Sequence, residues 1–252
     1  MDFSSELVSA SDWTERPFSC ENCPHRRLRV DGRCLLGRIC VRDERVRRLD
    51  VIFAADRQKA DASIDHLYFE VRAIAAKYAN LFQVAALCDD REPEVRVMAA
   101  LRLPLARIRK MRRDSDRKVR IACALRLDGA ELMAMAGDPD PDVRGAVAHR
   151  LDPTSLSALA ADPQGDVRRI VAGRLPSGRL VTMISDEDAA VRREVARRLD
   201  PTELGRMVGD PDAGVRRLVA DRAPLEIVAR LSADNDPDVV ASARLRLGHG
   251  IP

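Results

Sequence analysis

The sequence predicts an all-α solenoid, a stack of short helical repeats. Val-Arg dipeptides start at Val71, Val95, Val119, Val143, Val167, Val191 and Val215, and Val239 opens an eighth copy, always at a step of 24 residues. Self-similarity at one fixed period, without insertion or deletion, is the signature of units that pack only on their neighbours. Within each copy the apolar residues keep helical spacing, and no alternating β-branched run reads as a strand. Composition agrees: aromatics are 3% and charged residues 33%, with small aliphatics supplying the core, which suits short stacked helices better than a large mixed sheet.

Each copy opens with an α-helix. An Ala, Cys or Val stands four residues after each repeat Val, an Ala five after it (Ala76 to Ala220), and mostly a Leu eight after it, as at Leu103, Leu127, Leu151, Leu175 and Leu199. These spacings put the set on one helical face. In DPDPDVR, Asp138 to Arg144, Asp140 is placed to cap the free amides and Pro141 to take the first helical position. A second apolar set follows at steps of three, as in Leu81, Val84, Leu87 and Leu105, Ile108, Met111. Steps of three stack along one edge of a 3₁₀-helix, although a short α-helix also accepts them. Pro104, Pro153, Pro176, Pro201 and Pro224 keep the two elements from merging. Ankyrin, tetratricopeptide and HEAT units are all longer, and the L-x-x-L-x-L strand of a leucine-rich repeat is missing.

The N-terminus is built differently. Four of the six cysteines fall in CENCPHRRLRVDGRCLLGRIC, with the spacing C-x₂-C-x₁₀-C-x₅-C over Cys20, Cys23, Cys34 and Cys40. Four thiolates satisfy either a tetrahedral zinc ion or a [4Fe–4S] cluster, and spacing alone leaves both open. Arg26, Arg27, Arg29, Arg33, Arg38 and Arg42 surround them, a setting that favours thiolates and offsets a cluster's negative charge. Cys123, in a column otherwise filled by Ala and Val, reads as a small core residue, and Cys88 lies beside Leu87 at the end of a second helix; neither is read as a redox centre.

The period-24 units of DPDPDVR type, joined to an N-terminal four-cysteine segment, resemble the leucine-rich repeat variant family. The resemblance covers the chain from Cys20 to Leu247 and implies a right-handed superhelix of alternating α- and 3₁₀-helices. It also implies a small iron–sulfur domain in which Cys20, Cys23, Cys34 and Cys40 hold a [4Fe–4S] cluster, with structural zinc as the alternative. The expected organisation is a cysteine-rich domain over 1–48, a linker and cap over 49–70, whose VIFAA and LYF runs close the first unit, and eight repeats over 71–252. Val240 and Arg244 depart from the repeat, as suits a terminal unit.

Two arginine columns, Arg72 to Arg216 and Arg102 to Arg246, and an aspartate column, Asp90 to Asp234, recur in the repeats. Recurrence in unit after unit favours a structural ladder in which guanidinium groups tie neighbouring repeats together. The variable stretch from Leu101 to Arg120 is strongly basic. Arg109, Lys110, Arg112 and Arg113 form a candidate partner-binding patch, read first as a solvated face and second as a site for an acidic protein or a phosphate backbone. No Gly-rich phosphate loop, catalytic carboxylate pair or Ser-His-Asp set stands out, so no enzyme is expected. The acidic start MDFSSELVSA is unlike a signal peptide, no apolar run reaches the ~18 residues of a membrane span, and clustered thiols suit a reducing compartment. The expectation is therefore a cytoplasmic iron–sulfur protein for redox or electron-transfer work. Its scaffold would bind a protein partner, with nucleic acid a less favoured partner and no membrane.

Overall fold

The computed structural model describes residues 46–248 together with Glu21, Cys23 and Arg27. These residues form two compact units that divide between Arg126 and Leu127. No strand occurs among the described residues, and both units are built from the alternation that the sequence predicts: one α-helix of eight or ten residues, then a shorter or tighter helix.

In the first unit, helix Val46–Ala55 is followed by Arg57–Asp61 and then by the long helices Phe69–Tyr78 and Pro93–Arg102, with Arg117–Ala124 closing it. Helix Val46–Ala55 has the length of a repeat helix and packs against Phe69–Tyr78. It buries Leu49, Ile52 and Phe53, while Val51 and Leu67 stay exposed. Asp50 on this helix accepts from Lys77 Nζ at 2.8 Å and Tyr78 Oη at 2.9 Å. The second unit carries long helices at Pro141–Arg150, Gly165–Arg174, Ala189–Arg198, Ala213–Arg222 and Pro237–Arg246. Arg244 is exposed at the position where the preceding repeats bury alanine, and Gly248 ends the last helix at φ 75°, a left-handed conformation natural to glycine.

The core is the helical face read from the sequence. Val95, Val119, Val143 and the other repeat valines, the residue four beyond each, and every alanine from Ala76 to Ala220 are buried in columns, as are Leu103, Leu127, Leu151, Leu175 and Leu199. Each buried valine or leucine contributes roughly 1.5–3 kcal/mol, and each alanine less. From the second element only two columns go inside, exemplified by Val84 and Leu87, Ile108 and Met111, and Leu156 and Leu159. The third column of the expected triplet stays outside in part: Leu81 and Leu225 remain exposed.

That second element takes three forms. Repeats that enter it with LFQV, LARI or LEIV form one α-helical turn, as at Leu81–Val84, Leu105–Ile108 and Leu225–Val228, and then tighten into a 3₁₀ segment. In the repeat at Val119 it is the short α-helix Gly129–Met133 with no 3₁₀ segment after it, and elsewhere it is 3₁₀-helix alone, as at Ser177–Met183 and Pro201–Met207. The reason is local. Asp200 accepts from the Thr202 N–H at 2.9 Å and also from its hydroxyl at 2.6 Å, which holds the chain in a tight turn where hydroxyl residues compete with the α-helix.

Candidate metal centre and basic surface

Of the four cysteines singled out above, Cys23 is described, as a half-buried free thiol; Cys20, Cys34 and Cys40 lie outside the described residues. The donor set fits an iron–sulfur cluster on chemical grounds. It offers four soft thiols from one short chain segment, and arginines in the same segment can balance the charge. The other two cysteines do different work. Cys123 is fully buried in the column otherwise held by alanine and valine, its thiol 3.8 Å from the Ile108 carbonyl oxygen, and burial pushes its pKa up to about 12. Among the described residues no three His, Cys, Asp or Glu side chains gather where they could hold a metal ion.

The arginine columns form the expected ladder and divide its labour. In the first column, Arg144 Nε and Nη2 grip Asp162 at 2.6 and 2.9 Å, while Nη1 donates to the carbonyls of Asp138 and Pro139. The same fork joins Arg72 to Asp90, Arg96 to Asp114, Arg168 to Asp186, Arg192 to Asp210 and Arg216 to Asp234. Each of these aspartates also accepts a backbone N–H two residues on, as Asp162 does from Gln164 at 2.9 Å. The second column reaches backwards. Arg198 donates to the Ala172 and Leu175 carbonyls at 2.6 and 2.9 Å, which satisfies acceptors at the end of the preceding long helix. These recurrent arginines are structural.

The basic patch is organised by its helix. Arg109 follows the turn Leu105–Ile108, and Arg112 and Arg113 belong to the 3₁₀ segment Met111–Arg113. Arg109, Lys110 and Arg113 are exposed, and Arg112 is half-buried with Nη1 donating to the Arg109 carbonyl at 2.9 Å. Ile108 and Met111 face the core. The structure thus parts the four cations: Arg109 and Arg112 share one edge, while Lys110 and Arg113 share another with Arg107, a residue absent from the sequence-level candidate set. The signal for Arg107 is the spacing of three through 107, 110 and 113, which becomes meaningful once this stretch is known to tighten into a 3₁₀ turn. This edge borders a cavity of about 480 Å³ whose opposite wall includes Ala85, Cys88 and Asp89.

An all-α repeat architecture preceded by a four-cysteine segment defines a helical-repeat protein with a cysteine-rich metal-binding segment. Residues 10–62 match the family model described as LRV protein FeS4 cluster, and residues 165–188 match the leucine rich repeat variant model. A solved structure described as a leucine-rich repeat variant with a novel repetitive protein structural motif is 35% identical, with a TM-score of 0.85, and the alignment covers 91% of this chain and 98% of that one. The chain belongs to the leucine-rich repeat variant family, and its N-terminal segment is that family's iron–sulfur domain. An uncharacterized 27.7 kDa protein in the nifB 3′ region of Rhodobacter capsulatus is 38% identical over 82 residues, which are 32% of this chain and 34% of that protein. The described residues contain no helix long and apolar enough to cross a membrane.

Proposed function

We propose that Cys20, Cys23, Cys34 and Cys40 hold a [4Fe–4S] cluster and that the repeats behind it present a surface to a protein partner. The cluster, when bound, supplies one-electron redox chemistry. Electron transfer or redox sensing for that partner is the role that the rest of the chain supports best. The observation that carries the reading is the joining of a four-thiol, arginine-rich segment to repeats whose recurrent polar residues are consumed in holding the stack together.

With one cysteine for each iron, no iron would stay open to a substrate. The cysteines fix the cluster, and the arginines of the same segment lower the cost of its negative charge. The role we propose is non-enzymatic, with the cluster and the repeat surface as its working parts. Four cysteines clustered as cluster ligands suit a reducing, cytoplasmic setting.

The test is iron, zinc and acid-labile sulfide per chain on protein purified without oxygen, followed by redox titration in the electron paramagnetic resonance spectrometer. We expect about four irons and four sulfides and a signal that comes and goes with reduction. One zinc without sulfide would overturn the cluster assignment. A cluster that neither a reductant nor oxygen alters would overturn the redox role.

A further inference from the structure

The second element of the repeat at Val95 differs from the others at the edge formed by residues 107, 110 and 113. The same three positions hold Glu131, Ala134 and Gly137 one repeat later, and Glu203, Arg206 and Gly209 in the repeat at Val191. Where a comparable cleft forms there, of about 290 Å³, Arg206 Nε pairs with Glu203 at 3.0 Å within its own wall. The cleft that Arg107, Lys110 and Arg113 line has no such internal pairing. No described residue forms an ion pair or hydrogen bond with any of these three side chains. Asp114 in the same wall is taken by Arg96 at 2.7 Å, which leaves Asp89 as the further carboxylate against three cations.

We propose that this cleft between the first two repeats is a binding site for a phosphate monoester, a phosphate dianion carried on a small organic body. A phosphate ester near neutral pH carries roughly −1.5 to −2 charges, the charge that three cations and one carboxylate lack. Guanidinium forks match its oxygens in pairs, with the lysine as a point charge beside them. The cavity is larger than a bare phosphate needs, and its remaining wall is neutral and compact: Ala85, Ala106, Met111 and Cys88. Burial, helped by Asp89, pushes the Cys88 thiol up. Phe82 stands three residues before Ala85 and is 89% exposed, one helical turn from the wall, where a flat ring system can lie against it. A nucleoside monophosphate combines both features.

The experiment is calorimetric titration of AMP into the full chain with its cluster in place, beside ribose 5-phosphate, inorganic phosphate and adenosine. We expect AMP to bind, the other two phosphates to bind more weakly, and adenosine to give no heat. Arg107→Gln, Lys110→Gln and Arg113→Gln each weaken AMP by roughly tenfold or more, the effect of one charge-assisted hydrogen bond, whereas Arg206→Gln changes nothing. Ala106→Glu, which leaves every cation in place but puts a carboxylate into the wall, also abolishes binding. As an independent readout, AMP slows alkylation of Cys88, followed by peptide mass spectrometry. Unchanged AMP affinity in the triple glutamine variant, or alkylation of Cys88 indifferent to AMP, overturns the site. So does an oligoribonucleotide that binds this edge while AMP stays silent, which would make it a polynucleotide surface. Iron and sulfide content is independent of all these outcomes.

Discussion

A single arginine of the first column does four things at once. Arg144 is 9% exposed and Asp162 6% exposed, so water satisfies little of either charge. The guanidinium instead spends its donors on both carboxylate oxygens and two carbonyls. Removing one member leaves the other buried without its partner, which costs more than the pair itself contributes. Asp162→Ala is expected to lower unfolding free energy by roughly 3–5 kcal/mol in urea titration, whereas Asp166→Ala on an exposed turn stays within about 0.5 kcal/mol. The ladder also sets the acid limit. Burial alone would raise the Asp90, Asp114, Asp162 and Asp186 carboxyls, but the facing arginine and a backbone N–H outweigh it and hold each below the usual range; at Asp234 the Arg216 hydrogen bond comes first. A depressed carboxylate stabilises the fold fully above its unfolded value of about 3.9 and ceases to do so as pH falls through the folded value. Thermal midpoints should therefore be flat from neutral pH down to about 5 and drop steeply below about 4, several repeats losing their forks together.

At the scale of one element, the long helix depends on its first turn. Asp140 accepts from the Asp142 and Val143 N–H groups at 2.9 and 3.3 Å, and Asp188, Asp212 and Asp236 cap their helices in the same way. Gln164 holds the cap position of Gly165–Arg174 and makes no side-chain cap bond. Gln164→Asp is expected to stabilise the chain by about 1 kcal/mol, seen as a higher denaturant midpoint at unchanged slope. The long helix is legible in sequence because cap, proline and a three-column apolar face all agree. The second element is less so: over four residues, steps of three fit a 3₁₀ edge and an α-helical face alike, and entry residues such as Leu105 or Thr202 decide between them. The same ambiguity hides Arg107. Along the chain it is one basic residue among many, and only the tightened turn aligns it with Lys110 and Arg113. Helix Val46–Ala55 escapes the repeat pattern for another reason. Its Val-Arg pair begins 25 residues before Val71, out of step with the period that reveals all the others.

At the scale of the molecule, the question is whether the repeats need the cluster. Metal binding is folding free energy where the ligands have no other core to hold them, and a short segment rich in arginine and cysteine has little to bury. The repeats are different. Their valine, alanine and leucine columns are buried, and their arginine columns bond acceptors of the repeats themselves, as Arg72 does at the His66 carbonyl and Arg246 at the Ala223 carbonyl. Cys34→Ser should therefore abolish stoichiometric iron and sulfide while leaving the far-ultraviolet helix signal and the main thermal transition of the repeats nearly unchanged. Loss of the helix signal together with the iron would mean that the cluster staples the first repeats, and a carrier of electrons would then also be a condition for the surface that meets the partner. Retention would separate the two, so that the repeats stay folded whether the cluster is present, oxidised or lost. A sensing role then requires the cluster's state to alter binding by local contact near residues 20–40, and a variant without cluster should still capture ligands that belong to the repeats alone.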